Sequence, residues 1–179
     1  GGKEADTFVW LYDTLDFIWR KISVPPPYDG SVFGQSADVI GDYVYLFGGM
    51  DSQGPTNKVC IYDIIRQSWL TLSQQGSQPP RRYLHGEVTI GNYLHIVGGI
   101  GSGGQLADYW KYDANANTWT QGPSLPTPLS DHAAAYLTSG KIIVFGGIIG
   151  TTPTNRSFAL PVSGGSSRGL KVPLILLLD

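Results

Sequence analysis

The stretch that decides the fold is KVCIYDIIRQSW, residues 58–69, because two other segments of the chain repeat its landmarks at a fixed distance. Fifty positions earlier the chain reads FVWLYDTLDFIW (8–19), and fifty positions later it reads DYWKYDANANTW (108–119). The three segments align without a gap, so a Tyr-Asp pair, and a tryptophan six residues after its aspartate, recur on a fifty-residue period. A fixed period of this length indicates a repeat architecture.

A second landmark follows nearly the same period. The runs DYVYLFGG, NYLHIVGG and GKIIVFGG end at Gly49, Gly99 and Gly147. Each run is short, rich in β-branched and aromatic residues, and stopped by two glycines, which predicts a strand that ends in a sharp turn. Glycine suits the turn because a side chain would obstruct a positive φ or a close backbone approach.

Three further strands complete each unit. The first strands are predicted at residues 33–40, 83–90 and 132–137. Two residues such as Gly41-Asp42 join the first strand to the second, which is typical of a two-residue hairpin. A third strand then runs to the Tyr-Asp pair, whose aspartate is predicted to close an Asx-type turn. A fourth strand carries the tryptophan, which we expect to fill the space between neighbouring sheets.

This arrangement of a strand closing on Gly-Gly, then Tyr-Asp, then Trp resembles the kelch repeat family. The segment PPRRYLHG (79–86) also matches the Pro, Arg and His that precede the first strand in that family. The resemblance covers roughly residues 7–147 and implies an all-β fold of kelch-type β-propeller blades, present here as a partial propeller. We expect kelch repeats over 1–147, with an outer half-blade at 7–22, blades at 31–75 and 81–122, and an inner half-blade at 130–147. Residues 148–179 are expected to form a degenerate outer half-blade or an atypical tail, and 163–179 carry no assignment.

The number of repeats raises the question of how the sheets are closed. The family builds closed rings of about five to seven blades, whereas this chain supplies about three to three and a half. An open arc exposes sheet edges. Three explanations remain open: a fragment of a longer polypeptide, a short homologue whose tail covers the edge, or a homodimer. In the homodimer, the inner half-blade of one copy would pair with the outer half-blade of the other and close a six-bladed ring.

Composition restricts the partners and the compartment. The formal net charge is −2, and the densest cationic spot is Arg81-Arg82, so we expect no nucleic acid partner. The apolar run VPLILLL (172–178) is far shorter than the roughly 20 residues of a membrane-spanning helix, so we expect no membrane partner. The single cysteine, Cys60, excludes an internal disulfide and favours a reducing compartment, and we expect a cytoplasmic protein.

Catalytic chemistry is the alternative to binding. His85 and His132 lie near the starts of successive inner strands, and Glu87 shares a strand face with His85; these are suitable ligand types for a non-haem iron site. The competing interpretation is a structural hydrogen bond. Some relatives are copper-radical oxidases or sugar epimerases, but Cys60 lies beside Tyr62 without further ligands. We therefore expect no enzyme activity and no cofactor or metal; the alternative is an oxidase or epimerase with a metal or sugar site in the central channel.

The loops carry the predicted binding residues. In the family, ligands are held on one face of the disc by loops that lead into the first strand and by loops that follow Gly-Gly. The first set maps onto Tyr28, Asp29, Arg81, Arg82, Tyr83 and Asp131, and the second onto Asp51, Gln53, Ser102, Gln105 and Asn155. Arg81 or Arg82 would contact a carboxylate of the partner, or would instead bridge blades through backbone carbonyls. Tyr28 and Tyr83 would supply aromatic anchors.

The resemblance therefore implies a non-catalytic protein-interaction module that binds a peptide or protein. Many members of the family act as substrate receptors of ubiquitin ligases or as cytoskeletal partners, so an adaptor or scaffold role is expected.

Overall fold

The structure, a computed structural model, describes residues 9–22, 27–28, 30–70 and 72–162, and every regular element within these ranges is a β-strand. The strands pair antiparallel within each sheet, which confirms the predicted all-β class. None of the described residues forms a helix that is long and apolar enough to cross a membrane.

Two sheets have four strands each, and a hairpin precedes them. The hairpin consists of β1 (Val9–Asp13) and β2 (Ile18–Ile22). The first blade contains β3 (Ser36–Ile40), β4 (Tyr43–Phe47), β7 (Val59–Asp63) and β8 (Ser68–Leu70), and its loop carries the short strands β5 (Met50–Asp51) and β6 (Gly54–Pro55). The second blade contains β9 (Gly86–Ile90), β10 (Tyr93–Val97), β13 (Tyr109–Asp113) and β14 (Thr118–Gly122), and its loop carries β11 (Ile100–Gly101) and β12 (Gly104–Gln105).

The third blade has three strands among the described residues. They are β15 (Ala133–Leu137), β16 (Lys141–Phe145) and β19 (Ser157–Pro161), with β17 (Ile148–Ile149) and β18 (Thr152–Pro153) in the loop. Strand β19 pairs with β16 along its whole length, from Lys141↔Pro161 to Phe145↔Ser157. The apolar run 172–178, like the rest of the unassigned segment 163–179, lies outside the described residues.

The first strands begin later than the sequence patterns suggest. Phe33 makes only an isolated bridge with Met50, and Tyr83 makes the same bridge with Ile100. The residue after each has a positive φ, 67° at Gly34 and 53° at Leu84, which no strand residue adopts. The lead-in loop therefore makes a bend before β3 and β9 begin.

The first two Gly-Gly pairs serve both the turn and the contact with the next blade. Gly48 and Gly49 have φ values of 65° and 100°. A Cβ on Gly48 would lie 2.6 Å from the backbone oxygen of Arg82, and the Gly49 N–H donates to that same oxygen at 2.8 Å. The Gly99 N–H likewise donates to the Leu129 oxygen at 2.8 Å. The predicted reason for glycine here, positive φ with close backbone approach, is confirmed.

The cores lie between blades. One cluster joins residues of the first and second blades: Tyr45, Phe47, Val59, Ile61, Leu94, Ile96, Trp110, Tyr112 and Trp119. A second cluster joins the second and third blades: Val88, Val97, Tyr109, Leu125, Leu129, Ile142, Val144 and Leu160. The ring of Trp119 lies 4.8 Å from that of Phe47 and 4.9 Å from that of Tyr112, so Trp119 fills the gap between sheets as predicted. Trp19 does not: it is 61 % exposed and packs against Tyr12 of its own hairpin.

The blades present two opposite surfaces. The lead-in loops and the loops after Gly-Gly share one end of the sheets, which we call the loop face. The turns between first and second strands and between third and fourth strands share the other end, which we call the turn face. On the turn face, the Ile64 N–H donates to the Asp42 oxygen and the Ala114 N–H to the Asn92 oxygen, each at 3.0 Å.

Candidate interaction surface

An aromatic step stands on the loop face where the first two blades meet. Phe33 and Tyr83 occupy equivalent positions of successive lead-in loops, and their rings meet edge to face with centroids 5.7 Å apart. Phe33 is 56 % exposed. The Leu84 N–H donates to the Gly34 oxygen at 2.8 Å and ties the two loops together. Tyr83 was predicted as an anchor, whereas Phe33 was not, although its equivalence to Tyr83 is visible in the repeat.

The two adjacent arginines have opposite environments. Arg81 is exposed, whereas Arg82 is fully buried. Its guanidinium donates to both carboxylate oxygens of Asp108, at 2.8 and 2.7 Å, and to the Gly98 oxygen at 2.9 Å. Its Nε donates to the Pro80 oxygen at 3.1 Å. Arg82 is therefore removed from the predicted binding set, because its guanidinium is saturated by a carboxylate and by carbonyls of the same chain. Its side chain ties the lead-in loop to the rest of the second blade and does not bridge blades as the alternative interpretation expected.

Asp108 is the charged partner of Arg82 within the second blade and was missed in the sequence. Besides Arg82, it accepts a hydrogen bond from Trp110 Nε1 at 2.7 Å. The backbone of Arg82 also binds the first blade, because its N–H donates to the Thr56 oxygen at 2.9 Å. The only available signal was an aspartate two residues before a tryptophan in the second unit, a pattern that the other units lack.

The loops after Gly-Gly divide into exposed residues and residues that hold the loops. The Asp51 side chain is only 3 % exposed; it accepts the Gln53 N–H at 2.9 Å and lies 3.9 Å from Lys58 Nζ. Gln105 donates to Ser130 Oγ at 2.8 Å, and so links the second and third blades. Gln53 and Ser102 are exposed and remain candidates for contact with a partner.

The remaining predicted residues lie at the margins of the loop face. Tyr28 is half-buried, its ring centroid lies 6.0 Å from Lys58 Nζ, and burial raises its pKa. Asp29 lies outside the described residues. Asp131 is exposed, and its N–H donates to the Leu84 oxygen at 2.9 Å. Asn155 is exposed in the loop of the third blade.

Two of the three residues whose types would suit an iron site, His85 and Glu87, belong to a polar cluster between β3 and β9. This cluster, which we call the inner seam, also contains Ser36, Asp38 and Thr89. Ser36 Oγ lies 2.7 Å from His85 Nε2 and is also hydrogen-bonded to Glu87 Oε2. His85 thus makes the hydrogen bond that the structural interpretation requires. Across the part of the chain that the structure describes, no three His, Cys, Asp or Glu side chains converge as metal ligands.

Burial dominates the protonation of this region. It lowers the pKa of His85 to about 3, with the nearby Arg82 charge acting in the same direction. It raises the pKa of Glu87 to about 7, against the opposite effect of the Ser36 hydrogen bond. It also lowers the pKa of His132 to about 4. At neutral pH these histidines are uncharged, while Glu87 lies near the midpoint of its titration.

Comparison with known proteins places the chain among kelch repeats. It matches the KLHDC2/KLHL20/DRC7 Kelch-repeats domain over residues 1–160. It is 33 % identical over 144 residues to an F-box/kelch-repeat protein of Arabidopsis thaliana, an alignment that covers 72 % of this chain and 30 % of the relative. Host cell factor 1 of Homo sapiens is 32 % identical over 155 residues, an alignment that covers 72 % of this chain and 8 % of that protein. Kelch-like protein 15 of Danio rerio is 22 % identical over 171 residues, an alignment that covers 82 % of this chain and 27 % of that protein.

The chain therefore spans less than a third of the length of each of these relatives. The match to the domain nevertheless extends over the hairpin and all three blades. The two four-stranded antiparallel sheets, the Gly-Gly turns and the interblade Trp119 are those of a partial propeller, and the chain belongs to the kelch repeat family.

Proposed function

We propose that this chain is a protein-interaction module that binds a peptide or protein on its loop face. The observation that carries the proposal is the aromatic step, where Phe33 is more than half exposed beside Tyr83 and the exposed Arg81. Aromatic residues and arginine are enriched in interfaces and among the residues that dominate binding energy.

The aromatic step is also preorganised. Its two loops are joined by the bond from the Leu84 N–H to the Gly34 oxygen, and each loop is anchored by a bridge to the loop after Gly-Gly. A surface whose loops are already fixed loses less conformational entropy on binding. The family relationship supports the same function, since the similar proteins include F-box/kelch-repeat and kelch-like proteins.

The finer role that we propose is that of an adaptor or scaffold in the cytoplasm, such as the substrate receptor of a ubiquitin ligase. The low charge and the predicted lack of a basic patch argue against nucleic acid as the ligand. We propose no membrane partner and no cofactor.

The aromatic step can be tested by comparing opposite faces of the blades. Partners captured from a cell extract on the immobilised wild-type chain are identified, and the affinity of each purified partner is then measured. We expect Phe33→Ser combined with Tyr83→Ser to weaken binding at least tenfold, as loss of an interface hot spot does. The matched control is Ile65→Ser on the turn face, where Ile65 is 73 % exposed. Equal affinity of the loop-face variant and the control would overturn the proposal.

The arginine contribution is tested with Arg81 alone, because the burial of Arg82 makes a double substitution uninterpretable. Arg81→Glu should weaken a partner that presents a carboxylate, mainly by slowing association, and the effect should shrink at high salt. Surface plasmon resonance at two ionic strengths measures both. An unchanged association rate would show that Arg81 does not contribute to the binding surface.

A further inference from the structure

The two seams between inner strands differ in chemistry. Where β9 meets β15, Val88, Ile90 and Ala134 pack in one apolar cluster, beside the buried His132 at the start of β15. Where β3 meets β9, the inner seam carries hydroxyl, imidazole and carboxyl groups. Three of its polar atoms are buried without a hydrogen-bond partner among the described residues: His85 Nδ1, Glu87 Oε1 and Thr89 Oγ1. Such groups are costly to bury, so the seam is sensitive to its protonation state.

One hydroxyl connects the two titratable groups. Ser36 Oγ bonds to His85 Nε2 at 2.7 Å and to Glu87 Oε2. A serine hydroxyl has a single hydrogen, so it donates one of these bonds and accepts the other. Which of the two hydrogen bonds Ser36 donates is therefore fixed by whether the carboxyl group of Glu87 or the Nε2 atom of His85 carries a proton.

Two arrangements satisfy both bonds. When Glu87 is ionised, Ser36 donates to the carboxylate and His85 Nε2–H donates to Ser36. When Glu87 is protonated, it donates to Ser36, and Ser36 donates to an unprotonated His85 Nε2. The ring stays neutral in both arrangements, because burial and the charge of Arg82 keep the pKa of His85 low. In the second arrangement the neutral imidazole carries its hydrogen on Nδ1.

We infer that Ser36, His85 and Glu87 form a proton-linked relay across the first interblade seam. Uptake of one proton by Glu87 from solvent reverses both hydrogen bonds and shifts the His85 tautomer from Nε2–H to Nδ1–H. The net change is that one proton: the imidazole releases its hydrogen from Nε2 and gains one on Nδ1 by exchange with solvent.

The surrounding charges favour titration of Glu87 near neutral pH. Burial is the largest influence on the pKa of Glu87, and Asp38 on β3 raises it further. The charge of Glu87 also contributes to raising the pKa of Tyr28, in the segment before β3. From β10 the strand partner of Glu87 is the apolar Ile96. His85 is faced in turn by Arg82 and by His132 from the third blade.

The relay lies directly beneath the proposed binding surface. Strands β3 and β9 begin three residues after Phe33 and Tyr83, so a change in the seam acts at the base of the aromatic step. The inference itself does not depend on what the loop face binds.

Tautomers can be read directly by ¹⁵N–¹H correlation of the imidazole groups in the unmodified chain between pH 5.5 and 8.5. We expect His85 to change from Nδ1–H at low pH to Nε2–H at high pH. Its midpoint should coincide with the titration of the Glu87 carboxyl carbon. His132 is the internal control: no relay connects it to a carboxyl group, and it should keep one tautomer.

Two variants separate the relay from a general effect of pH. In Ser36→Ala, Glu87 still titrates, but His85 should no longer follow it. In Glu87→Gln, the His85 tautomer should be independent of pH. A His85 tautomer that stays constant in the wild-type chain while Glu87 titrates would overturn the inference, and so would a Glu87 midpoint near its ordinary value. Because the decisive spectrum uses the wild-type chain, a variant that fails to fold does not obscure the result.

Discussion

The buried side chain of Arg82 ties the lead-in loop of the second blade to the rest of that blade, through Asp108 and the Gly98 oxygen. Removing one partner of a buried ion pair typically costs about 3–5 kcal/mol, because the other charge stays buried without compensation. We therefore expect Arg82→Ala to lower the free energy of unfolding by about that amount, leaving Asp108 with Trp110 as a donor. Urea denaturation measures the loss. Arg81→Ala is the matched control and should change stability by no more than about 0.5 kcal/mol. Similar losses in both variants would contradict this role.

Stability should depend on pH through four buried groups. The folded-state pKa values of His85, His95 and His132 are about 3, 4 and 4, below the ordinary 6.5, so their stabilising contribution is lost as the pH falls below 6.5. Glu87 has the opposite sign: with a pKa of about 7 against 4.5, its contribution is present below pH 4.5 and lost as the pH rises through 7. Each group acts with a slope of about 1.4 kcal/mol per pH unit.

The three histidines dominate below pH 6.5, and Glu87 alone acts just above it. We expect the free energy of unfolding, measured by urea denaturation from pH 4.5 to 8.5, to be highest near pH 6.5. Glu87→Gln should abolish the decline on the alkaline side while the acid decline remains. A profile that is flat between pH 5 and 7 would contradict the assignment.

At this scale the sequence predicted residue types better than their orientation. Arg81 and Arg82 are neighbours in the same motif, and the side chains of an extended segment alternate in direction. Which arginine points inward depends on the position of Asp108, which lies in another loop. Asp51 and Gln105 were likewise predicted as surface residues, because nothing local shows that their partners are Lys58 and Ser130.

The turn between the third and fourth strands is the most regular element of the molecule. Asp13 Oδ1 accepts the Leu15 N–H at 2.9 Å, and Asp113 Oδ1 accepts the Asn115 N–H at 2.9 Å, which confirms the predicted Asx-type turn. Each turn ends on a non-glycine residue with positive φ, 51° at Gln67 and 54° at Asn117. Residues other than glycine are strained in this conformation.

Gln67→Gly should therefore stabilise the first blade. The left-handed conformation costs a non-glycine residue about 1–2 kcal/mol, whereas the additional entropy loss of glycine is about 0.5–1 kcal/mol. We expect a net gain on the order of 0.5–1 kcal/mol, seen as a higher melting temperature. Gln121→Gly within β14 removes the same side chain from ordinary strand geometry and should lower it. A decrease in both would show that the Gln67 turn is not strained.

Elements whose conformation depends on neighbouring residues in the sequence were predicted well. Elements whose conformation depends on tertiary contacts were not. Hairpins and Asx-type turns depend on neighbouring residues, and the Gly41-Asp42 turn lies between β3 and β4 as expected. The bend at Leu84 was missed because a leucine gives no hint of positive φ; the conformation is held by hydrogen bonds to other blades.

As a whole, the molecule presents an apolar face on its third blade. Ile142 and Val144 point into the core shared with the second blade, so the alternate residues Ile143 and Phe145 point away from it. Phe145 is 47 % exposed, and Leu137 on the same face is 36 % exposed. A sheet face of this kind favours association.

We expect the chain to self-associate, with a light-scattering mass above 19.3 kDa. Leu137→Lys combined with Phe145→Lys should shift it toward the monomer, whereas Ile65→Lys on the turn face should not. The predicted ring-closing homodimer stays a proposal, and the structure adds one requirement for its formation. The edge of β16 that would receive the outer half-blade of a second copy is occupied by β19, so β19 would have to leave it. A mass of 19.3 kDa for the wild-type chain would contradict self-association.

The lead-in loops are joined in series, from the Leu84 N–H to the Gly34 oxygen and from the Asp131 N–H to the Leu84 oxygen. The middle unit thus provides both a donor and an acceptor at one position, Leu84, while its two neighbours provide the matching acceptor and donor. Duplication or deletion of a whole unit leaves no backbone group unmatched within the array. A gene built this way can change its number of repeats in one step, because the junction, rather than the individual blade, is what selection must preserve.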